Sequence, residues 1–587
     1  MIVKRFIIFL TFIIFFTSIS TYGEEGEPIL YIIISFNADC NSAEYTWEQA
    51  EKLIMESHMK ILEIIEKYPD VKIHFSPTGF TADLYGVFFP IAKNRWQKAI
   101  EEKRVSISTI SYSNPLYTMN PQEDIVRNVV KGIACVKSIW KPVVENFGYI
   151  DKNEFDLTIP KKLDDGGIIY SIIPRIHILT SEEKLAENLE KVWYNKGVVT
   201  INGADGGQLT CLLSEGTESL TNIVKGNWKK EIDKINQIKE INKKRGGGIL
   251  LMYLANAEFL YSPNGPVEEN IKGFETFIIE LKKLSFLKFT TPEEYFTLQK
   301  PEGQYTIDYG MDYTHWTKDE SDHYINEKIV QNRRKLLNIK KQIQLAELRK
   351  RNISETKILY EEAWTHMMLS QTSNALGLNP SNEKIEYGKL QTDITELIIT
   401  DCAGLLDETK KLEKTDVKEW RFAVGEIPGK SNPVWPSVNI SNWEKVVFPH
   451  STKIKEVITR DWVKSKNIEN FPGFFPETQT TDWNWYRTDN LKIPKDYFGR
   501  PIYLIFDGLA GNALICVNGF YQYTASHQES DEPSEYSPNE PNEYGKFAIY
   551  ISNLINPPDK ENIVAIKIKN VSGMAGIYGK IYIGCVK

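Results

Sequence analysis

Cysteine is scarce in this chain, six in 587 residues (Cys40, Cys135, Cys211, Cys402, Cys516 and Cys585), spread end to end without a C-x-x-C pair. That excludes a disulfide scaffold and a zinc ribbon, and points instead to buried free thiols. An excess of positive charge is also lacking: 70 Lys and Arg stand against 78 Asp and Glu, a formal net charge of −8. Such a surface offers no footprint for a polyanion, so nucleic acid is excluded as a partner. Long apolar runs are missing too. The longest, Phe6–Phe16, is well short of the ~20 residues a membrane-spanning helix needs, so no integral span is expected in the mature chain. Lys4 and Arg5 before that run and Thr17–Gly23 after it make a signal peptide over 1–23, with cleavage near Gly23. The mature protein is then exported, periplasmic or extracellular.

What is present is material for several cores: 42% apolar, 12% aromatic and 25% charged residues over a length that calls for three or four folded units. From 24 to 300, short apolar runs alternate with amphipathic stretches. Strands are predicted at Ile29–Phe36, Lys72–Pro77, Val105–Ser111, Ile168–Ile173, Val198–Ile201, Gly248–Leu254 and Phe286–Phe289. Helical spacing runs through Tyr45–Tyr68 and Gln122–Val144. This order predicts an α/β unit with a parallel sheet, open or closed into a barrel. From 301 to 415 the strand signal gives way to three charged helices, Ile325–Asn352, Ser354–Ala375 and Ile385–Lys411, an antiparallel α-helical bundle. A Pro- and Gly-bearing stretch, 416–445, reads as a linker, and the short alternating strands of 446–587 as an all-β sandwich.

In a parallel sheet the working residues sit on loops after the strand C-termini. The first strand ends in Asn37-Ala38-Asp39. Phe147-Gly148-Tyr149-Ile150 runs into Asp151-Lys152-Asn153-Glu154-Phe155-Asp156. A third loop carries Ala255-Asn256-Ala257-Glu258-Phe259. Carboxylates on three loops at one sheet end suit glycoside hydrolysis, in which one acts as acid and another as nucleophile or base. Helix N-capping is the competing use of the same residues.

Asn146–Ile173, with the elements around it, resembles the catalytic region of the α-mannosidase-like glycoside hydrolases of family 38 and the related family 57. The resemblance covers roughly Ile29–Thr400 and implies a seven-stranded type of parallel barrel followed by a helical domain. In the family 38 alignment Asp151 matches the nucleophile; in the family 57 alignment Glu154 does, three residues on. Family 38 opens with His-x-Asp after its first strand, where this chain has Asn37-Ala38-Asp39. It also carries a metal-binding histidine in a Gln-x-His-Asp segment, where this chain has Gln371-Thr372-Ser373-Asn374. The expected metal is therefore none, and no cofactor is implied. Asn256 stands where family 57 keeps its acid/base aspartate, which leaves Glu258 as the expected proton donor.

The last 140 or so residues, with Leu504-Ile505-Phe506-Asp507-Gly508, Val517-Asn518-Gly519 and Gly576-Ile577-Tyr578, resemble the jelly-roll sugar-binding module of β-galactosidase-type enzymes. Aromatic faces stack on sugar rings, so Trp47, Tyr112 and Trp316, together with Asn256, are the expected substrate-binding residues. The reading is an exported glycoside hydrolase acting on a carbohydrate, with catalytic candidates Glu154, Asp151, Glu258 and Asp39. Its rivals are a sugar-binding protein on a degenerate hydrolase scaffold and a polysaccharide deacetylase. The second wants Asp and paired His around a metal, and only His58 and His74 are near, neither in a ligand pair.

Overall fold

The computed structural model describes residues 28–40, 47–109, 111–117, 119–149, 157–174, 198–203, 205–216, 220–244, 246–260, 267–301, 304–306, 320–376, 380–424, 433–448, 450–451, 483–510, 512–526, 546–558, 560–569, 576–577 and 579–587. Strand β1 (Leu30–Ala38, LYIIISFNA) is buried at every position. A strand apolar on both sides belongs in a parallel sheet covered on both faces. It pairs in parallel with β2 (Ile73–Pro77), which pairs with β3 (Val105–Ile107). Further parallel strands are β4 (Phe147–Tyr149) and β5 (Tyr170–Pro174). Strand β6 (Val198–Asn202) and strand β7 (Gln208–Gly216) follow, and β8 (Leu250–Asn256) lies on the other side of β1. Among the described residues eight strands thus run in one direction, seven in the order β3-β2-β1-β8-β7-β5-β4 and an eighth, Leu287–Phe289, paired in parallel with β1. Between the outer two, the Val144 N–H donates to Ile107 O at 2.8 Å.

Three sequence expectations need correction. Val198–Ile201 is a strand, but it runs antiparallel to β7, and the β7 partner itself was not foreseen. Its QLTCLLSEG does not alternate regularly, and its parallel partners β5 and β8 lie on segments distant in sequence. The stretch expected as a linker contributes strands Trp420–Val424 and Glu444–Val446 to an antiparallel sheet with Trp483–Leu491. Trp420 and Phe422 are buried there, and burial of alternate side chains outweighs the local Pro and Gly content. The helix read through Tyr45–Tyr68 is interrupted: a π turn at Ile54–His58 separates helices Trp47–Leu53 and Met59–Lys67. The extra residue per turn rotates Ser57 and His58 into the interior, where both are fully buried.

Helices Glu320–Leu348, Ser354–Ser370 and Asn382–Leu406 pack around Leu336, Leu359, Ala363, Trp364, Met367 and Ile398. The bundle is tied to helix Gln122–Ile139 through Asp124, whose carboxylate accepts from Arg333 Nε at 3.0 Å and Gln371 Nε2 at 2.6 Å. C-terminal strands form two antiparallel sheets of four and six strands and a small three-stranded one. Lys567 Nζ donates to Gly86 O at 2.8 Å, and a Cβ at Gly86 would stand 2.5 Å from Ile139 Cδ1 and 2.9 Å from Leu514 Cδ1. Only glycine lets the C-terminal sheet approach this closely. The molecule is a mixed α/β multidomain protein with one mainly parallel sheet, further β-sheets and a helical bundle.

Candidate functional site

At the C-terminal end of the parallel sheet β1 and β8 lie in register, Asn37 opposite Asn256. Two residues beyond that pair stand the carboxylates Asp39 and Glu258. Asp39 is buried. Oδ2 accepts from Asn114 Nδ2 at 3.2 Å and Asn374 Nδ2 at 3.0 Å, and Oδ1 from the Thr78 hydroxyl at 3.4 Å. Asn114 reaches it from a left-handed backbone position, φ 52°, which asparagine tolerates better than most residues. Asn374 comes from the helical bundle, so β1 and the bundle meet on one carboxylate.

The family 38 resemblance implies a zinc ion at this position, and the residues do not fit one. A zinc site needs several donors with lone pairs aimed at one point. Here both asparagines turn amide N–H groups on Asp39, and Ser373, in the place of the family's histidine, is buried with its backbone N–H bonded to Asn114 O at 2.9 Å. No step of chemistry is drawn through that ion.

Glu258 is the second residue of a 3-10 turn, Ala257–Leu260, and keeps 12% of its side chain exposed. Its Oε1 is 3.0 Å from His58 Nε2 and 3.6 Å from Cys40 Sγ. The other ring nitrogen of His58 is 2.9 Å from the Tyr85 hydroxyl. Burial first, then the nearness of Cys40 and Glu258, pushes the Tyr85 phenol well above its ordinary range and keeps it neutral. Ser57 of the π turn donates to Ala257 O and accepts from Leu260 N at 3.3 Å, fastening the loop of Glu258 to the helix of His58. Cys40 is held by its own N–H, which donates to Thr81 Oγ1 at 2.8 Å.

The structure thus brings Asp39, Glu258 and Asn256 to one sheet end, with Asn256 exposed. Tyr112 is corrected: its ring is fully buried, edge-on to Phe80 and 4.8 Å below Lys131 Nζ, beyond reach of a sugar. Asp151, Glu154 and Trp316 lie outside the described residues, as does the side chain of Trp47, which opens its helix. The segment expected as a signal peptide lies outside them as well. Tyr85 escaped the sequence reading, His58 was set aside there as lacking a ligand pair and Cys40 was read as a buried thiol, because the three sit on separate elements. Their only available signal was adjacency of the first strand to the strand before Glu258. All six cysteines are buried, and none is in a disulfide. Among the described residues no helix is long and apolar enough to cross a membrane.

No family model matches the chain, and no curated protein matches it in sequence. Among solved structures it is similar to a 4-alpha-glucanotransferase from Thermococcus litoralis, at 10% identity and TM-score 0.44 over 95% of this chain and 99% of that one. It is also similar to a GH57-type branching enzyme from Pyrococcus horikoshii, at 11% identity and TM-score 0.49 over 64% and 90%. An α-mannosidase from Enterococcus faecalis gives 13% identity and TM-score 0.46 over 94% of this chain and 56% of that chain.

Proposed function

We propose that the chain is an exported glycoside hydrolase acting on an oligo- or polysaccharide through two carboxylates, without zinc at Asp39. On this reading residues 24–300 form a barrel of the seven-stranded type, 301–415 the bundle, and the C-terminal sheets a jelly-roll module. The observation that carries the reading is Glu258. It is a carboxylate at the C-terminal end of a parallel sheet, partly open to solvent, fixed by a buried histidine beside the end of β1. Glu258 gives a proton to the leaving oxygen while Glu154, or Asp151 in the alternative alignment, attacks the anomeric carbon. Asp39, its carboxylate taken up by amide donors from Asn114 and Asn374, acts by holding β1 against the bundle. Trp47, Trp316 and Asn256 line the sugar path.

Glu154→Gln preserves shape and removes the charge that stabilises an oxocarbenium-like transition state, so turnover falls by orders of magnitude with little change in binding. Asp151→Asn in the same assay decides between the alignments. Wild-type rates in both remove this loop from the chemistry. A second reading, sugar binding without catalysis, is favoured by Asn256 at the family's acid/base position. It becomes the better account if sugars raise the melting temperature while a panel of glycosides gives no turnover.

A further inference from the structure

Cys40 Sγ, His58 Nε2 and Glu258 Oε1 come from three elements, and the three atoms all lie within 4.8 Å of one another. Two of them are fully buried side chains, and the third is the cluster's opening to solvent. We propose that these residues form a binding site for a zinc-class divalent cation, in which the thiolate, the imidazole and the carboxylate supply three ligands and water the fourth. The site is distinct from the family 38 position at Asp39, where the donors are wrong.

The chemistry of the set is the first support. Soft sulfur with imidazole and one carboxylate is a donor combination that selects zinc over magnesium or calcium, which take oxygen. Spacing is the second. Tetrahedral zinc with bonds of ~2.3 Å to sulfur and ~2.0–2.2 Å to nitrogen and oxygen sets its ligand atoms roughly 3.3–3.6 Å apart. The sulfur–oxygen separation here is 3.6 Å, the nitrogen–oxygen separation 3.0 Å and the sulfur–nitrogen separation no more than 4.8 Å, so entry of the ion requires the His58–Glu258 contact to widen by a few tenths of an ångström and the Cys40 and His58 side chains to settle at the zinc spacing. Second-shell support is the third. A metal-bound imidazole commonly donates its other N–H to a fixed acceptor, and Tyr85 Oη stands 2.9 Å from His58 Nδ1. Cys40 and the Glu258 loop are each pinned through the backbone, by Thr81 and Ser57. Loading would replace the His58–Glu258 and Cys40–Glu258 hydrogen bonds by bonds from the sulfur, the nitrogen and the oxygen to the ion, release to solvent the Cys40 thiol proton and the proton shared by His58 Nε2 and Glu258 Oε1, and hold His58 as its Nδ1–H tautomer.

The ion would occupy Oε1 of Glu258, the residue assigned above as proton donor. Resting on that reading, zinc is an inhibitor of turnover and a chelator restores it, the reverse of a zinc hydrolase.

The test is metal binding by the full mature chain, stripped with chelator and measured without substrate. One equivalent of zinc is expected. Cobalt in its place should give a thiolate-to-metal charge-transfer band, and Cys40→Ser should abolish that band and weaken zinc binding roughly a hundredfold or more. Glu258→Gln, at the open side of the cluster, is the second variant and should weaken binding roughly tenfold or more with the melting temperature retained. Absence of bound zinc at micromolar concentrations, or binding unchanged in Cys40→Ser, overturns the site. Zinc bound by the stripped chain, with no glycoside turned over by the zinc-free form, upholds the site and removes the hydrolase reading; turnover indifferent to zinc, with no zinc bound, does the opposite.

Discussion

Two buried histidines in this molecule are built alike and stand in different surroundings. His58 sits with one ring nitrogen 3.0 Å from Glu258 and the other 2.9 Å from the Tyr85 hydroxyl. His366, in the bundle, has one nitrogen 3.2 Å from Glu362 and the other 2.6 Å from Gln391 Oε1. The glutamates divide them. Glu258 has a thiol as its second neighbour and 12% of its side chain open, whereas Glu362 is 2% exposed and its Oε1 also accepts the backbone N–H of Tyr550 from the C-terminal sheet. A His–Glu pair sealed by a backbone donor glues two domains; the same pair left with an open side and a soft neighbour can do chemistry.

The sharpest break of that comparison is by rate. Glu258→Gln keeps the acceptor for His58 but cannot release a proton, so kcat should fall roughly 10²–10⁴-fold, with the melting temperature nearly unchanged. Glu362→Gln in the same assay should leave kcat within about twofold of wild type. Equal losses in both would mean that the rate follows domain docking rather than proton transfer. Stability should show the mirror image. Glu362→Ala strands the Tyr550 N–H and a His366 nitrogen in a dry interface, at about 1–3 kcal/mol for each orphaned group. Urea denaturation should therefore register a loss of about 2 kcal/mol or more, against less than about 1 kcal/mol for Glu258→Gln.

How much of this was legible in sequence follows from the range of the forces involved. β1, β2 and the bundle helices were readable because apolar spacing is local, and Ile29–Phe36 falls on Leu30–Ala38 within two residues at either end. Asp39 and Glu258 were legible as mouth residues because the strand before each was. The π turn at Ile54–His58 was not, since no residue in IMESH departs from helical spacing; it is the tertiary bond of Ser57 to the Glu258 loop that holds it. Nor was the antiparallel insertion of Val198–Asn202, because partner and direction are set by neighbours on other segments. Cys40 read as an inert thiol for the same reason.

A third buried imidazole extends the comparison to one without any carboxylate. His74 lies between the Ser35 and Ser108 hydroxyls, at 2.7 and 2.8 Å, and burial lowers its pKa to about 3. In the unfolded chain it titrates near ~6.5. Between those values the unfolded state holds the extra proton, so stability rises with pH across that window and is lost as pH falls through it. The contribution of this one group is up to about 1.4 kcal/mol per pH unit. His74→Gln should lower stability at pH 7 yet flatten its pH dependence between pH 6.5 and 3, measured by denaturant midpoints. An unchanged slope would assign the acid sensitivity to other groups.

The smallest expected effect concerns the other half of the sheet mouth. Asn374 donates to Asp39 Oδ2 at 3.0 Å, and Asn114 shares that oxygen at 3.2 Å. Asn374→Ala removes one of these donors and leaves the other, so the carboxylate stays partly satisfied. The cost should be about 1.5–3 kcal/mol if a charged hydrogen bond is fully lost, and nearer 1 kcal/mol if Asn114 compensates. Asn374→Asp, isosteric but anionic, sets two carboxylates against each other and should cost more than Ala does, with the excess shrinking as pH falls and one of the pair takes up a proton. A double-mutant cycle with Asp39→Asn separates the pair energy from the packing of the 373–376 turn. If Asp39 only clamps β1 to the bundle, Asn374→Ala lowers stability and leaves the rate alone. If instead kcat falls with stability unchanged, Asp39 belongs beside Glu258 in the chemistry, and the division between a sealed carboxylate and an open one no longer holds at this end of the sheet.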